Sequence, residues 1–352
     1  MVDKVGRAGQ TGTVQHIEGD AICARQLKKR FSTRGKTVEA VAGVDLSVRA
    51  GEIFGFLGPN GAGKTTTLRM LTTLLPIDSG EATVAGADVR RSPARVRRRI
   101  GYVSQLGGAD ENATGRDNLM LQGRLYGTAK ADMARQVDEL LALLDLAEFA
   151  DRRVATYSGG QRRRLDVALG IAHQPQVLFL DEPSTGLDPQ NRANLWTHVR
   201  GLAARGTTVF LTTHYLEEAD ALCDRVAIID HGLVVAQGPP TDLKHDVAGD
   251  SVLIELRDVE ESGPAQRLLT SGANAGVVRE LSVEDNTIRL YVTDSALAVP
   301  ALLRSLDEAG IAIRSLRLAE PSLDDVFLAA TGRSLRDAGD DHHDQGTGAS
   351  DE

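Results

Sequence analysis

The sequence predicts an α/β protein: an α/β core, a helical subdomain inserted within it, and a small α+β domain at the C-terminal end. Three observations predict it. A glycine-rich run lies between an apolar pentapeptide and a helix-forming stretch. Helical periodicity takes over from about Asp110 to Pro175 and then gives way to short apolar runs again. Beyond residue 250 the strand and helix signals follow the order βαββαβ.

The glycine-rich run comes first. Gly58-Pro59-Asn60-Gly61-Ala62-Gly63-Lys64-Thr65 fits G-x-x-x-x-G-K-[ST]. Ile53–Leu57 before it reads as a buried strand, and Thr66–Leu71 after it reads as a helix. Glycines lack Cβ atoms, so successive backbone N–H groups can converge on phosphate oxygens, helped by the positive end of the helix. Lys64 then reaches outer phosphates and the Thr65 hydroxyl holds Mg²⁺. A Gly-rich turn that happens to contain a lysine is the competing reading, and the two flanks argue against it.

The remaining elements follow in order. Residues 1–19 are polar and are expected to be disordered. Ala21 to Ser47 alternates as short strands. Arg90, Arg91, Arg95, Arg97, Arg98 and Arg99 read as a solvated face before a strand at Ile100–Val103. Val137, Leu140, Leu141 and Leu144 form one face of an amphipathic helix, and Leu165, Ala168, Leu169 and Ala172 repeat the spacing. Strands return at Val177–Leu180 and Thr208–Leu211, with a helix between them. Val226–Ile229 and Leu233–Ala236 flank a hairpin turn at Asp230-His231-Gly232. Gly238-Pro239-Pro240 marks a boundary, so the core is read as 20–240, with its helical subdomain at about 110–175. The second domain, 241–333, reads as strand 251–257, helix 264–271, strands 276–283 and 286–293, helix 295–309 and strand 311–318, the ferredoxin-like plan, with a last helix from Ser322 to Ala330. The acidic tail, 334–352, is expected to be disordered.

Whole-chain properties narrow the function. The 352 residues are 41% hydrophobic but only 4% aromatic, so the core should be mainly aliphatic. A net charge of −9 argues against nucleic acid as a partner. Cys23 and Cys223 stand far apart, which suits a reduced, cytosolic protein. No apolar stretch is long enough to span a membrane, so a membrane role needs a separate partner.

A second motif narrows the chemistry. Val177-Leu178-Phe179-Leu180-Asp181-Glu182 is a buried strand whose end delivers two carboxylates. Beside a phosphate loop, Asp181 is placed to hold Mg²⁺ and Glu182 to polarise the water that attacks the γ-phosphate. Tyr157-Ser158-Gly159-Gly160-Gln161 is a third motif, an anion-binding turn that opens a helix.

With these three motifs in order, the chain resembles the ATP-binding subunits of ABC transporters over residues 21 to about 240. The signature there is usually Leu-Ser-Gly-Gly-Gln, and here Tyr157 replaces the leucine. The resemblance implies ATP and Mg²⁺ as ligands, with Gly58 to Thr66 cradling the phosphates. It implies that Gln105 links Mg²⁺ and water to a transmembrane partner. Asp188, within Ser184–Pro189, is implied at a crossing between protomers. His214 is implied to contact the γ-phosphate and orient Glu182, and Phe31 to stack on adenine where the family usually has Tyr. It further implies a head-to-tail dimer in which Ser158, Gly159, Gly160 and Gln161 of one copy close over ATP held by Lys64 of the other. An integral membrane permease, met through Gln105 and the stretch from Leu106 to Asn118, would place the chain at the cytoplasmic face of the membrane. Glu320-Pro321-Ser322-Leu323-Asp324-Asp325-Val326-Phe327-Leu328 resembles the ending of daunorubicin-resistance exporter ATPases, which implies drug export. A soluble ABC ATPase of DNA repair or translation, or a nucleotide-gated regulatory module, is the alternative. The single cassette, the absence of long coiled-coil insertions, and the intact Glu182 and His214 weigh against these.

Overall fold

The structure is a computed structural model that describes residues 19–33, 36–247, 250–271, 278–292, 294–319 and 322–332. The ends expected to be disordered, 1–19 and 334–352, fall outside the described residues except for Gly19. So does Glu320-Pro321.

The chain divides into two units between Val235 and Ala236. In the first, β1 (Asp20–Thr33) and β2 (Lys36–Arg49) pair antiparallel. They are longer than the short strands expected there. Four register shifts in the pairing, with Gln26 at φ 48°, let each strand bend and keep pairing. β4 (Ser79–Val84) and β5 (Ala87–Asp88) complete this sheet in the order β2-β1-β4-β5.

The second sheet contains β3 (Ile53–Leu57), β6 (Ile100–Val103), β7 (Val177–Asp181), β8 (Thr208–Thr213), β9 (Arg225–Asp230) and β10 (Leu233–Gly238), in the order β10-β9-β3-β8-β7-β6. The pairings β9-β3-β8-β7-β6 are all parallel. β3 and β7 are buried at every residue, as parallel strands covered on both faces must be. Crossovers run through α1 (Lys64–Leu71), α2 (Pro93–Arg97), α5 (Gly159–Ile171), α6 (Pro189–Ala204) and α7 (Leu216–Leu222). The shared core is aliphatic in bulk, but its centre is aromatic. Phe54, Phe56 and Phe179 surround Phe210 with ring centroids 5.5–5.7 Å away, so four of the seven phenylalanines meet there.

The helical subdomain holds α3 (Gly115–Leu125), α4 (Lys130–Leu143) and α5. The expected face, Val137, Leu140, Leu141 and Leu144, is buried. The arginine cluster is mostly exposed. Even so, Arg90 donates to the Ile77 carbonyl, Arg97 to Thr73 and Arg99 to the Ala85 carbonyl, so part of that face ties loops down.

In the second unit, after α8 (Pro240–Val247), come β11 (Asp250–Leu256), α9 (Ser262–Leu269), β12 (Val278–Glu284), β13 (Thr287–Val292), α10 (Ser295–Glu308) and β14 (Ile313–Ala319). The antiparallel sheet runs β12-β13-β11-β14, the ferredoxin-like order. Leu302 and Leu306 of α10 and Ala265 and Leu269 of α9 pack on its Val252, Ile254, Ile288 and Leu290 face. α11 (Leu323–Thr331) opens with a Ser322/Asp325 capping box. Buried Asp325 also accepts from Arg289 at 2.8 Å and from the Tyr291 hydroxyl, which anchors the helix to β13.

Candidate functional site

β3 ends in the phosphate loop at the carboxyl edge of the parallel sheet, where open α/β sheets place ligands. Close backbone packing selects its glycines. A Cβ on Gly58 would lie 2.3 Å from the Ile229 carbonyl oxygen. One on Gly63, at φ +107°, would lie 2.4 Å from that of Ala40. The loop is also held from below. The Gly232 N–H donates to the Ala62 carbonyl at 3.0 Å, while the Gly232 carbonyl accepts from Ala42 N–H at 2.8 Å. The β9–β10 turn therefore braces the loop against β2, which the sequence pattern of a hairpin turn did not disclose.

α1 begins directly at Lys64, two residues earlier than expected. Gly63 is its N-cap, with no side-chain cap and no acid in the first turn. Its leading N–H groups and dipole thus face anions without competition from a side chain.

Lys64 is nearly buried; its Nζ donates to the carbonyls of Gly58 (2.7 Å) and Pro59 (3.1 Å) and lies 3.6 Å from Glu182 Oε1. Burial pulls its pKa down, opposed by the Glu182 and Asp181 charges. Thr65 Oγ1 donates to Asp181 Oδ1 at 3.1 Å, and Thr212 Oγ1 donates to the same oxygen at 2.7 Å. Two hard oxygens from Thr65 and Asp181 beside a phosphate cradle are the donor set that Mg²⁺ takes.

Glu182 stands at the centre. It adopts φ 45°, a region uncommon for residues other than glycine, and its N–H is held by the Thr212 carbonyl (3.2 Å) and hydroxyl (3.0 Å). This turns its carboxylate into the pocket, with only 11% of the side chain exposed. Oε2 accepts from Gln105 Nε2 and Thr185 Oγ1, both at 3.3 Å, and His214 Nδ1 approaches it at 3.3 Å. Burial pushes the Glu182 pKa up, but His214, Lys64 and Thr185 outweigh this and hold it below the ordinary value. Lys64, Gln105, Glu182 and His214, far apart in sequence, thus meet at one carboxylate.

The signature lies elsewhere. Ser158 caps α5 in a capping box with Gln161, and a Cβ on Gly160 would strike the Asn191 side chain at 2.2 Å. Asp188 caps α6, accepting from Asn191 N–H at 2.9 Å. The cavity over the phosphate loop is lined by residues from Ala40 to Glu182, including Asn60, Gly61 and Thr66, but not by Ser158 to Gln161, Asp188 or Phe31. Phe31 lies on β1 opposite Val38, 40% exposed, with Lys29 Nζ 5.7 Å from its ring. Leu106 is 98% exposed, and residues 106–114 are all exposed or half-buried; only Gly115 and Asn118 of the stretch to Asn118 are buried. Asn118 is buried and tied to Asp110, because its amide closes the turn before α3.

Sequence reasoning missed Arg163 and Asp166. Arg163, buried, donates to the carbonyls of Ser104 (2.6 Å), Pro183 (2.8 Å) and Asp181 (3.0 Å), pinning the Gln105 and Glu182 loops together. Asp166 Oδ1 accepts from Gly108 N–H at 2.9 Å. Arg163 sits three residues after buried Gly160 on the inward face of α5, a spacing that separates it from its neighbours Arg162 and Arg164.

Residues 41–185 match the ABC transporter family, and residues 238–331 match the C-terminal domain of DrrA1-3-like ATP-binding proteins. The daunorubicin resistance ATP-binding protein DrrA2 of Streptomyces coeruleorubidus is 43% identical over 316 residues, 90% of this chain and 96% of that one. The daunorubicin/doxorubicin resistance ATP-binding protein DrrA of Streptomyces peucetius is 45% identical over 85% of this chain and 89% of its own. The linearmycin resistance ATP-binding protein LnrL of Bacillus subtilis is 35% identical over 89% and 99%. Among solved structures, an ATP-binding subunit of an ABC transporter aligns with a TM-score of 0.57 at 26% identity, over 64% of this chain and 92% of that one. A dimeric ATP-binding cassette bound to ADP and Pi aligns at 0.58 with 23% identity, over 62% and 98%, a likeness of fold alone. The chain therefore belongs to the ABC transporter ATP-binding family, as a nucleotide-binding ATPase with a DrrA-like C-terminal domain.

Proposed function

We propose that this chain powers export of an amphipathic, antibiotic-like compound through a separate membrane permease, and that it works as a head-to-tail pair of copies. The observation that carries the reading is the convergence of Lys64, Gln105, Thr185 and His214 on the Glu182 carboxylate at the mouth of the phosphate loop.

Backbone N–H groups of the loop and of the first turn of α1 bind the phosphates of ATP, and Lys64 neutralises the outer ones. Thr65 and Asp181, with Gln105, would hold Mg²⁺, and the ion bound there would offset phosphate charge. Glu182 is ionised and faces inward, so it accepts the proton of the water that attacks the γ-phosphorus. The bond from the γ-phosphorus to the bridging oxygen breaks, and ADP and phosphate leave. His214 orients Glu182 and contacts the γ-phosphate.

The cavity on the loop lacks the Ser158 to Gln161 turn, which supports the view that a second copy supplies it, with Asp188 at the crossing. ATP then joins the two copies and hydrolysis releases them. No helix among the described residues is long and apolar enough to cross a membrane, so transport needs a permease, with this chain peripheral at its cytoplasmic face. The relatives' names supply the drug-resistance direction. Phe31 is proposed as the adenine-stacking residue.

The test is ATPase activity of the purified chain alone and with a candidate permease, across a panel of amphipathic drugs. Stimulation by permease and drug together supports the reading. Full activity that is indifferent to both contradicts it.

A further inference from the structure

Glu218 is fully buried, and the chemistry above does not use it. It sits in the first turn of α7, directly after the His214-Tyr215 segment. Its Oε1 accepts from Trp196 Nε1 of α6 at 3.0 Å. The carboxylate also faces Thr213, the residue before His214, and Ser184, the second residue after Glu182; its Oε2 makes no aligned hydrogen bond. Ser184 is likewise fully buried.

One carboxylate is thus bonded to the helix that Asp188 caps and faces both the strand end that leads into His214 and the loop that leaves Glu182. The surface ties between the same elements are weaker in kind. The Arg192 guanidinium lies 4.7 Å from the Tyr215 ring centroid and pairs with exposed Glu217 at 3.6 Å, and Arg200 donates to the Ala221 carbonyl. Separating this pair is costly to buried Glu218, whose carboxylate would be left without a substitute for water, while Trp196 is half-buried.

We propose that Glu218, through Trp196, is a positioning residue that makes α6, the Ser184 loop and the His214 segment one rigid unit. That unit holds His214 Nδ1 against Glu182, 3.3 Å away, and keeps it there when α6 is displaced on closure of two copies. The inference rests on the roles given above to His214 and Glu182. Trp196 is the only tryptophan in the chain, so its emission follows the surroundings of this one indole.

The experiment uses the full chain and compares Glu218→Ala, Glu218→Gln, Trp196→Phe and His214→Ala by steady-state ATPase kinetics, with Trp196 emission recorded in the three that retain it. We expect Glu218→Ala to lower kcat by about tenfold or more, the scale on which misplaced catalytic groups lose rate, with KM for ATP within about twofold. Its Trp196 emission should shift to the red. Glu218→Gln keeps an acceptor for the indole and should recover most of kcat and the parent emission. Trp196→Phe removes the donor alone and should lower kcat without raising KM; it decides the matter if Glu218→Ala does not fold. A parent-like kcat in Trp196→Phe and in folded Glu218→Ala overturns the proposal. If His214→Ala is impaired in that case, only the positioning role fails; if His214→Ala is also parent-like, the role given to His214 fails with it.

Discussion

Replacing Glu182 by Gln perturbs two things at once. The glutamine can still accept hydrogen bonds from Gln105 and Thr185, but it cannot take a proton from water and it carries no charge to offset Lys64. Lys64 Nζ is nearly buried, 3.6 Å from the lost charge. Removing one partner of a buried ion pair costs about 3–5 kcal/mol when nothing replaces it. Here two backbone carbonyls still accept from Lys64 and Asp181 still contributes charge, so about 2 kcal/mol is expected. For a domain of this size that lowers Tm by about 4–8 °C in the absence of nucleotide. Phosphates bound at the loop supply the missing charge, so the Tm rise on adding ATP should be larger in the variant than in the parent. Turnover should fall by about 10²–10⁴, the usual contribution of a general base. The pH dependence has a definite sign. The Glu182 pKa lies below its ordinary value of 4.5, so its stabilisation is complete above that value and is lost only as pH falls through the lowered one. The gap in nucleotide-free stability between parent and variant should therefore be constant near neutrality and close in acid. Thermal unfolding and phosphate release measure both effects. A variant with parent Tm and turnover within about threefold of the parent would refute the reasoning.

Other predictions follow from the same geometry. Lys64→Ala should abolish tight ATP binding, measured by titration calorimetry; near-parent affinity counts against the loop assignment. Ser158→Arg should leave nucleotide binding to the isolated chain intact but prevent ATP-induced dimerisation, read by sedimentation. Gly58→Ala would drive a methyl to 2.3 Å from the Ile229 carbonyl, so it should cost stability and nucleotide affinity together; a parent-like protein refutes that packing. Burial raises the Glu218 pKa, so ionising it costs folding stability as pH rises above 4.5. The stability of Glu218→Gln relative to the parent should increase over that range in denaturant titrations, and a flat difference would show that the raised value is wrong.

Much of this was legible in the sequence, for stated reasons. The phosphate loop and the Asp181-Glu182 strand declare themselves because backbone geometry demands glycine at fixed positions and a parallel strand demands an unbroken apolar run. The C-terminal βαββαβ order was legible because strands and helices there alternate with clear period changes. What stayed hidden depends on distance in space. Arg163 looks like part of a basic run until its three carbonyl partners, from two segments far apart in sequence, are seen around it. Thr212 and Glu218 are ordinary residues until burial brings them to Asp181 and Trp196. Gly232 reads as a turn glycine, and only the fold shows it beneath the phosphate loop. The long β1–β2 pair reads as short strands because its bulges interrupt the alternation that marks a strand.

Mixing two inactive variants tests most directly whether each ATP is held between copies. In a head-to-tail pair of Lys64→Ala with Ser158→Arg, one site carries both lesions and the other carries neither. An equal mixture should regain up to about half of parent ATPase activity, since neither variant pairs with itself on ATP and every mixed pair has one intact site. If the mixture stays as inactive as its components while mixed pairs demonstrably form, the two motifs act within one chain and the shared site does not exist.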